Sequence, residues 1–329
     1  MFRRAMCISP VILLLTLPTM LAADKKGNDT FTDAEKAGAD FKVQGEYLGR
    51  MTLGGSPARA GAQVIALGEG KFDLVLYTGG LPGDGWKRGD KRQKASGETK
   101  DGETSFTGEG FTAKLKDGAI ELADSGGTRA GGLKKIDRES KTLGAKAPEG
   151  AIVLFDGKSA DKFKGGKIVM EDLLAVGCET IEKFGDHTLH LEFRTPFMPK
   201  ARGQARGNSG VYAQGRYEIQ VLDSFGLEGE NNECGGIYSI AKPAVNMCYP
   251  PLAWQTYDID FTAAKYDDAG KKVKNARITV KHNGVVIHDD LELTKGTPGK
   301  YEEGPDPAPL YLQDHGNPVH FRNIWAVKK

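Results

Sequence analysis

Polar and apolar residues alternate along most of this chain in short runs closed by Gly, Asp, Asn or Pro, and helical three-to-four-residue spacing is hard to find. A period of two marks half-buried strands, so the chain reads as all-β. In the first half the alternation predicts strands over residues 42–50, 61–67, 72–77, 104–107, 111–116, 119–123 and 133–137, preceded by at most a short helix over 32–39. In the second half it predicts a strand opening at Ala151 and others at 173–176, 188–194, 210–213, 217–222, 236–239, 255–262, 275–281, 285–293, 310–313 and 319–327. The hairpin signal His282-Asn283-Gly284 and the number of strands point to a jelly roll or β-sandwich.

The breaks in the pattern divide the chain. Arg3 and Arg4 precede an apolar run over 11–17 and then small residues to Ala23, the order of a secretory leader too short to span a bilayer. Residues 1–23 are therefore expected to be removed, and the rest to be exported to the periplasm or outside the cell, with no later membrane span. Residues 24–139 read as a small β-rich domain, 140–150 as a Lys/Gly/Pro/Ala linker without apolar periodicity, and 151–329 as a second β domain. The loop Gly79 to Trp86 is glycine-rich, but no phosphate-receiving helix follows it, and Trp86 reads as a core residue. The lysine-rich stretch 87–100 reads as a solvated loop with room for a protein partner, whose identity the sequence leaves unknown.

Composition narrows the function classes. Lysine plus arginine (45) balance aspartate plus glutamate (44), so nothing draws in nucleic acid or an anionic membrane, and a neutral substrate fits best. Past the leader the cysteines are Cys178, Cys234 and Cys248. In an oxidising compartment a Cys234–Cys248 disulfide is expected, contributing about 3 kcal/mol through loop entropy, with Cys178 left over. Metal-ligand spacing is absent, and no cofactor is required. The acidic loop 227–233 carries oxygen ligands of the kind that hold calcium, yet it lacks EF-hand spacing and reads as solvated, so no metal residues are assigned.

The candidate chemistry is densest at Asn208-Ser209-Gly210-Val211-Tyr212 and Tyr217-Glu218-Ile219-Gln220-Val221-Leu222-Asp223. As a strand, the second run buries Tyr217, Ile219 and Val221 and projects Glu218 and Gln220 from the other face. These segments, with Leu154-Phe155-Asp156-Gly157, Leu189-His190-Leu191-Glu192-Phe193-Arg194, Gly235-Gly236-Ile237-Tyr238, Trp254-Gln255-Thr256-Tyr257 and Leu312-Gln313-Asp314-His315-Gly316, closely resemble the 3-keto-disaccharide hydrolase domain family over 151–329. The resemblance implies a concanavalin A-like jelly-roll sandwich related to family-16 glycoside hydrolases, with sugar held on a concave sheet face.

Those relatives carry an acidic signature where this chain has Glu218, Gln220 and Asp223, and the substitutions undermine a two-carboxylate retaining mechanism. The 3-keto chemistry that the resemblance implies needs instead a base at C2, a donor at the C3 oxygen and an acid for the leaving group. Glu218 and His315 are the candidate proton-transfer residues. Asn208, Gln220, Asp223, Gln313 and Arg322 are candidate sugar contacts and Trp254 a candidate platform for a ring. The implied partner is an oligosaccharide or glycoside, and the alternatives are a non-catalytic, lectin-like glycan-binding module or a structural part of an envelope assembly. His187, His190, His282, His288 and His320 read as structural or solvent-facing.

Overall fold

The computed structural model describes residues 29–52 and 55–329, so the leader expected at 1–23 lies outside the described residues. The chain is nearly all β. Eight strands form a closed antiparallel barrel: β1 (Gly45–Met51), β2 (Ala58–Gly68), β3 (Lys71–Thr78), β4 (Arg92–Lys100), β5 (Glu103–Gly108), β6 (Phe111–Lys116), β7 (Ala119–Asp124) and β8 (Arg129–Ile136). Each pairs with its sequence neighbour, and β8 pairs with β1 to close the ring. Closure leaves no unpaired sheet edge. Strand β6 shows how the pattern builds it: Phe111, Ala113 and Leu115 point inward while Thr112, Lys114 and Lys116 face water.

Strands β2 and β3 depart from alternation because both of their faces are covered. Ala62, Val64, Leu74 and Leu76 fill the barrel, while Ile65, Val75 and Tyr77 point outward into the core of the second half. Trp86 is buried there too, edge-on to Tyr77 at 5.1 Å.

The second half comprises β9 (Ile152–Phe155), β10 (Phe163–Lys164), β11 (Ile168–Val169), β12 (Leu173–Ala175), β13 (Cys178–Phe184), β14 (His187–Arg194), β15 (Ser209–Ala213), β16 (Tyr217–Val221), β17 (Gln255–Thr262), β18 (Ala276–His282), β19 (Val285–Leu293), β20 (Ala308–Leu312) and β21 (His320–Lys328). The larger sheet runs β11-β12-β21-β14-β17-β18-β19, with β9 also on β21, and the smaller runs β10-β13-β20-β15-β16. Leu191, Phe193, Tyr257 and Ile259 of the larger sheet share one apolar core with Val211, Tyr217, Ile219 and Leu312 of the smaller, making a β-sandwich.

Four local expectations are corrected. Residues 38–43 form a helix (Gly38–Val43), so the strand expected from 42 begins at Gly45. Residues 236–239 contribute only isolated bridges from Ile237 to Ile219 and to Ala241. The stretch read as a solvated loop, 87–100, contains β4, whose inward positions are small: a Cβ on Gly97 would sit 2.5 Å from the Phe106 ring. Strand β13 also escaped the pattern, because Ile181 faces outward at 65% exposure while Cys178, Thr180 and Phe184 are buried.

Candidate functional site

Hairpin geometry sets the site. A three-residue turn, with Gln214 and Gly215 at positive φ, joins β15 to β16 and pairs Ala213 with Tyr217, Tyr212 with Glu218 and Gly210 with Gln220. Pairing continues outward: Tyr212 lies opposite Tyr311 of β20, and Tyr311 opposite Glu179 of β13. One cross-sheet row, Glu179, Tyr311, Tyr212, Glu218, therefore runs along the face away from the core. At ~4.8 Å per strand the two carboxylate positions stand roughly 14 Å apart. That exceeds the ~5–9.5 Å of paired-carboxylate glycosidases.

The loop after β19 makes a cleft of this face. Thr297 N and Lys300 N donate to the carbonyls of Arg216 and Gly215, both at 2.9 Å, and Arg216 Nε donates to Glu302 O at 2.7 Å. The resulting cleft holds about 790 Å³, with Tyr212, Tyr311, Gln313, Lys300 and Tyr301 in its lining. At one end of the row, beneath the cleft residues Lys300 and Tyr301, Glu179 accepts from Tyr301 Oη at 2.6 Å and pairs with Lys300 at 2.8 Å. Burial acts to raise its pKa, but Lys300 and Tyr301 hold it below the usual carboxylate range.

At the other end of the row Glu218, behind the cleft-lining Tyr212, is 3% exposed and has no cationic partner among the described residues. Burial pushes its carboxyl up to about 7, against the smaller lowering effect of the neighbouring Tyr212 hydroxyl. Tyr212, itself raised by burial and by the nearby Glu218 charge, stays protonated at neutral pH, its Oη donating to Pro298 O at 3.2 Å. Gln313 Nε2 donates to Tyr212 Oη at 3.0 Å. Turned so that its nitrogen meets the carboxylate, the Gln220 amide donates to Glu218 Oε1 at 2.8 Å and to Ser209 O at 3.0 Å. Asn208 is held by Gln204, its Nδ2 donating to Gln204 O at 2.8 Å. Gly210 opens the space above the sheet, since a Cβ there would lie 2.4 Å from Glu218 Oε1.

The structure thus brings Glu218, Gln220, Asn208 and Gln313 together. It adds Tyr212, Tyr311, Glu179 and Gln204, which the sequence reading had not assigned. Counting outward from the turn would have found Tyr212, because residues equidistant from a hairpin turn face each other.

Other candidates lie elsewhere. His315 is exposed in the turn after β20, and no hydrogen bond to its side chain is seen among the described residues, while Asp314 Oδ1 accepts from Gly316 N at 2.8 Å. Asp223 is buried past the end of β16, where Arg206 Nε donates to it at 2.6 Å, so its charge is committed to an ion pair.

Arg322 and Trp254 belong to the outer face of the larger sheet, with the sandwich core between them and Glu218. There the Arg322 guanidinium lies 3.9 Å over the Trp254 ring and its Nε donates to Glu192 at 2.6 Å. The same carboxylate accepts from Gly144 N at 2.6 Å and Asn323 Nδ2 at 2.9 Å. Burial opposes its ionisation, yet the bonds from His190, Asn323, Arg322 and Gly144 together lower Glu192 to about 2. His190, stacked on Trp325, donates toward Asp258 across 2.6 Å, and although burial acts to lower its pKa, Asp258 and Glu192 raise it. The group fastens residues 140–145 to the sheet.

The expected Cys234–Cys248 disulfide is absent: both are free buried thiols, as is Cys178. Cys234 Sγ lies 3.3 Å from Tyr257 Oη, and Cys248 Sγ donates toward Leu222 O at 3.5 Å. In the acidic loop Glu228 pairs with Arg92 and Lys94, and Glu233 accepts from Gly229 N and Glu230 N. Among the described residues no group of three or more His, Cys, Asp or Glu is arranged to hold a metal ion, and no helix is long and apolar enough to cross a membrane.

With this geometry in hand, the family described as the 3-keto-alpha-glucoside-1,2-lyase-like domain matches residues 150–327. The chain belongs to this family. The lyase-like domain therefore takes in both sandwich sheets and the whole Glu179–Glu218 row. Among solved structures, one from Parabacteroides distasonis ATCC 8503, titled a "putative glycosyl hydrolase", is 32% identical with a TM-score of 0.50, covering 56% of this chain and 85% of that one. A second so titled from the same organism is 20% identical, with a TM-score of 0.38, covering 55% and 94%. No curated protein matches the chain.

Proposed function

We propose that the protein is an exported carbohydrate-active enzyme that cleaves glycosidic bonds in 3-keto-glycosides. Membership of the lyase-like family and the glycosyl hydrolase title of the 32%-identical neighbour support the carbohydrate-active reading. The observation that carries the mechanism is a buried carboxyl, raised to about 7, next to the protonated Tyr212 phenol that lines the cleft. Such a carboxyl is poised to exchange protons at neutral pH.

A ketone at C3 acidifies the C2 proton. Glu218 takes that proton, and the electron pair from the C2–H bond forms an enolate whose negative oxygen is the former ketone. Collapse of the enolate re-forms the C3 carbonyl and a C1–C2 double bond as the C1–O bond breaks, with Tyr212 protonating the departing oxygen. Water then adds across the double bond, hydroxyl to C1 and proton to C2, regenerating a free 3-keto-sugar. Gln220 and Gln313 supply hydrogen bonds to sugar or enolate oxygens, and Tyr311 an aromatic floor. One base and one acid suffice, so the route needs no second carboxylate near Glu218.

The test is sugar release from a panel of 3-keto-disaccharides by the mature chain. Glu218→Gln is expected to lower kcat at least 100-fold, and Tyr212→Phe by about 10- to 100-fold. The kcat/KM of the wild type should rise with pH through about 7, as Glu218 ionises in the free enzyme. Full turnover by the Glu218→Gln variant would defeat the assignment. Saturable glycan binding with no turnover of any keto-sugar would establish a lectin-like module instead.

A further inference from the structure

A cavity of about 480 Å³ lies between the barrel and the sandwich, away from the Glu179–Glu218 row. Its walls are apolar where Ile65 and Val75 leave the barrel and Phe225 and Leu227 follow the end of β16. Arg206 also lines it. This side chain is 5% exposed; its Nε donates to Asp223 at 2.6 Å and its Nη1 to Ala66 O at 3.2 Å. Its Nη2, equally buried, has no partner among the described residues. A buried donor left unsatisfied is costly, and since Nη2 is closed to water in this conformation, a small turn of the guanidinium toward the cavity brings it to an acceptor oxygen there and recovers that loss.

The charges on the walls define what that oxygen belongs to. Lys94, Arg202 and Arg206 are matched by Asp73, Glu109 and Asp223, so the cavity gives no net attraction to an ion. The volume lies in the range of small-molecule sites, and the apolar walls disfavour a bare sugar, whose hydroxyls would be stripped of water without partners. We propose that this cavity binds an uncharged aromatic or alicyclic alcohol, its ring against Ile65, Val75, Phe225 and Leu227 and its hydroxyl oxygen accepting from Arg206 Nη2. The hydroxyl proton then has the cavity carboxylates as acceptors. The site is independent of the proposed catalytic reading. It is joined to the surroundings of Glu218 through one segment, because Gln204, two residues before Arg206, accepts at its carbonyl from Asn208 Nδ2 at 2.8 Å.

The experiment compares naphthalene, 1-naphthol and 1-naphthoate by calorimetric titration of the full mature chain, its Arg206→Lys variant and its Thr107→Trp variant. Lysine keeps a cation for Asp223 but removes Nη2, whereas Thr107 is an exposed residue of the cavity lining whose enlargement blocks entry without touching Arg206. Expected are binding of 1-naphthol at least tenfold tighter than naphthalene, collapse of that ratio to within threefold in Arg206→Lys, and loss of binding in Thr107→Trp. Equal affinity for naphthalene and 1-naphthol in the wild type, or unimpaired binding to Thr107→Trp, would overturn the proposal. Tighter binding of 1-naphthoate would overturn it too, by making the site an anion site. The wild-type ratio and the Thr107→Trp result decide the matter even if Arg206→Lys fails to fold.

Discussion

At the scale of single residues, Glu218 is a cost to the fold. Its folded pKa of about 7 lies above the 4.5 of a free side chain, so the native state holds its proton more tightly than the unfolded state does. The associated stability is fully present below about pH 4.5 and is lost as pH rises through 7, an amount on the order of 3 kcal/mol at most. Glu218→Gln, which never ionises, is therefore expected to unfold at a higher temperature than the wild type at pH 8 and at nearly the same temperature at pH 4.5. Equal pH dependence in the two proteins would mean that Glu218 titrates normally. Gly210→Ala is the complementary change. Its methyl would meet Glu218 Oε1, so activity is expected to fall more than tenfold while circular dichroism stays native. The sequence gives away Glu218 and Gln220 because alternation sets which side chains share a strand face. It misplaces Arg322 and Trp254 because alternation says nothing about which of two sheets a strand joins. His315 fails for another reason: where a turn residue points depends on loop packing, which has no period.

Among the elements, the segment 140–150 departs most from expectation, since its composition suggested a linker and its contacts form a latch. Thr142 Oγ1 donates to Asp258 at 2.7 Å, Gly144 N to Glu192 at 2.6 Å and Trp325 Nε1 to Ala145 O at 3.1 Å. Apolar periodicity cannot reveal such an attachment, because backbone groups and small polar side chains make it. Strand β4 was hidden similarly, its inward positions being Ala95, Gly97 and Thr99 beneath larger neighbours. Glu192 is the centre of the latch. Held down to about 2, it contributes stability that is present above about pH 4.5 and is lost as pH falls through 2. Glu192→Gln is expected to cost about 2–3 kcal/mol, at the lower end because Arg322 is 35% exposed. Amide exchange at Gly144 should accelerate at least tenfold in this variant with the barrel amides unchanged, and unchanged protection at Gly144 would refute the latch.

For the whole molecule, the question is whether the barrel is an appendage or a part of the sandwich. The outward faces of β2 and β3 and the loop that follows contribute Ile65, Val75, Tyr77, Leu81 and Trp86 to the same apolar cluster as Phe225, Met247 and Tyr249. At about 1.5–3 kcal/mol for each large side chain fully buried, five such residues amount to roughly 10 kcal/mol, comparable to the net stability of a typical domain. Polar contacts close the rim. Arg138 pairs with the buried Glu46 of the barrel while its guanidinium lies 4.9 Å over the Tyr249 ring. Arg88 Nη2 reaches the carbonyls of Gly229 and Pro243 at 2.9 and 3.0 Å. An interface this apolar resembles a core more than a contact between mobile domains. The intact chain is accordingly expected to unfold in one calorimetric transition. A fragment of residues 148–329 would lose the barrel's side of the cluster and also the 140–145 latch, leaving the apolar surface around Phe225 and Tyr249 open to water. It should melt at least 10 °C lower than the intact chain and bind an apolar fluorescent dye that the intact chain excludes. A fragment that melts within a few degrees of the whole and takes up no dye would show the sandwich to be self-sufficient, and the barrel would then need a reason for its presence other than completing the fold.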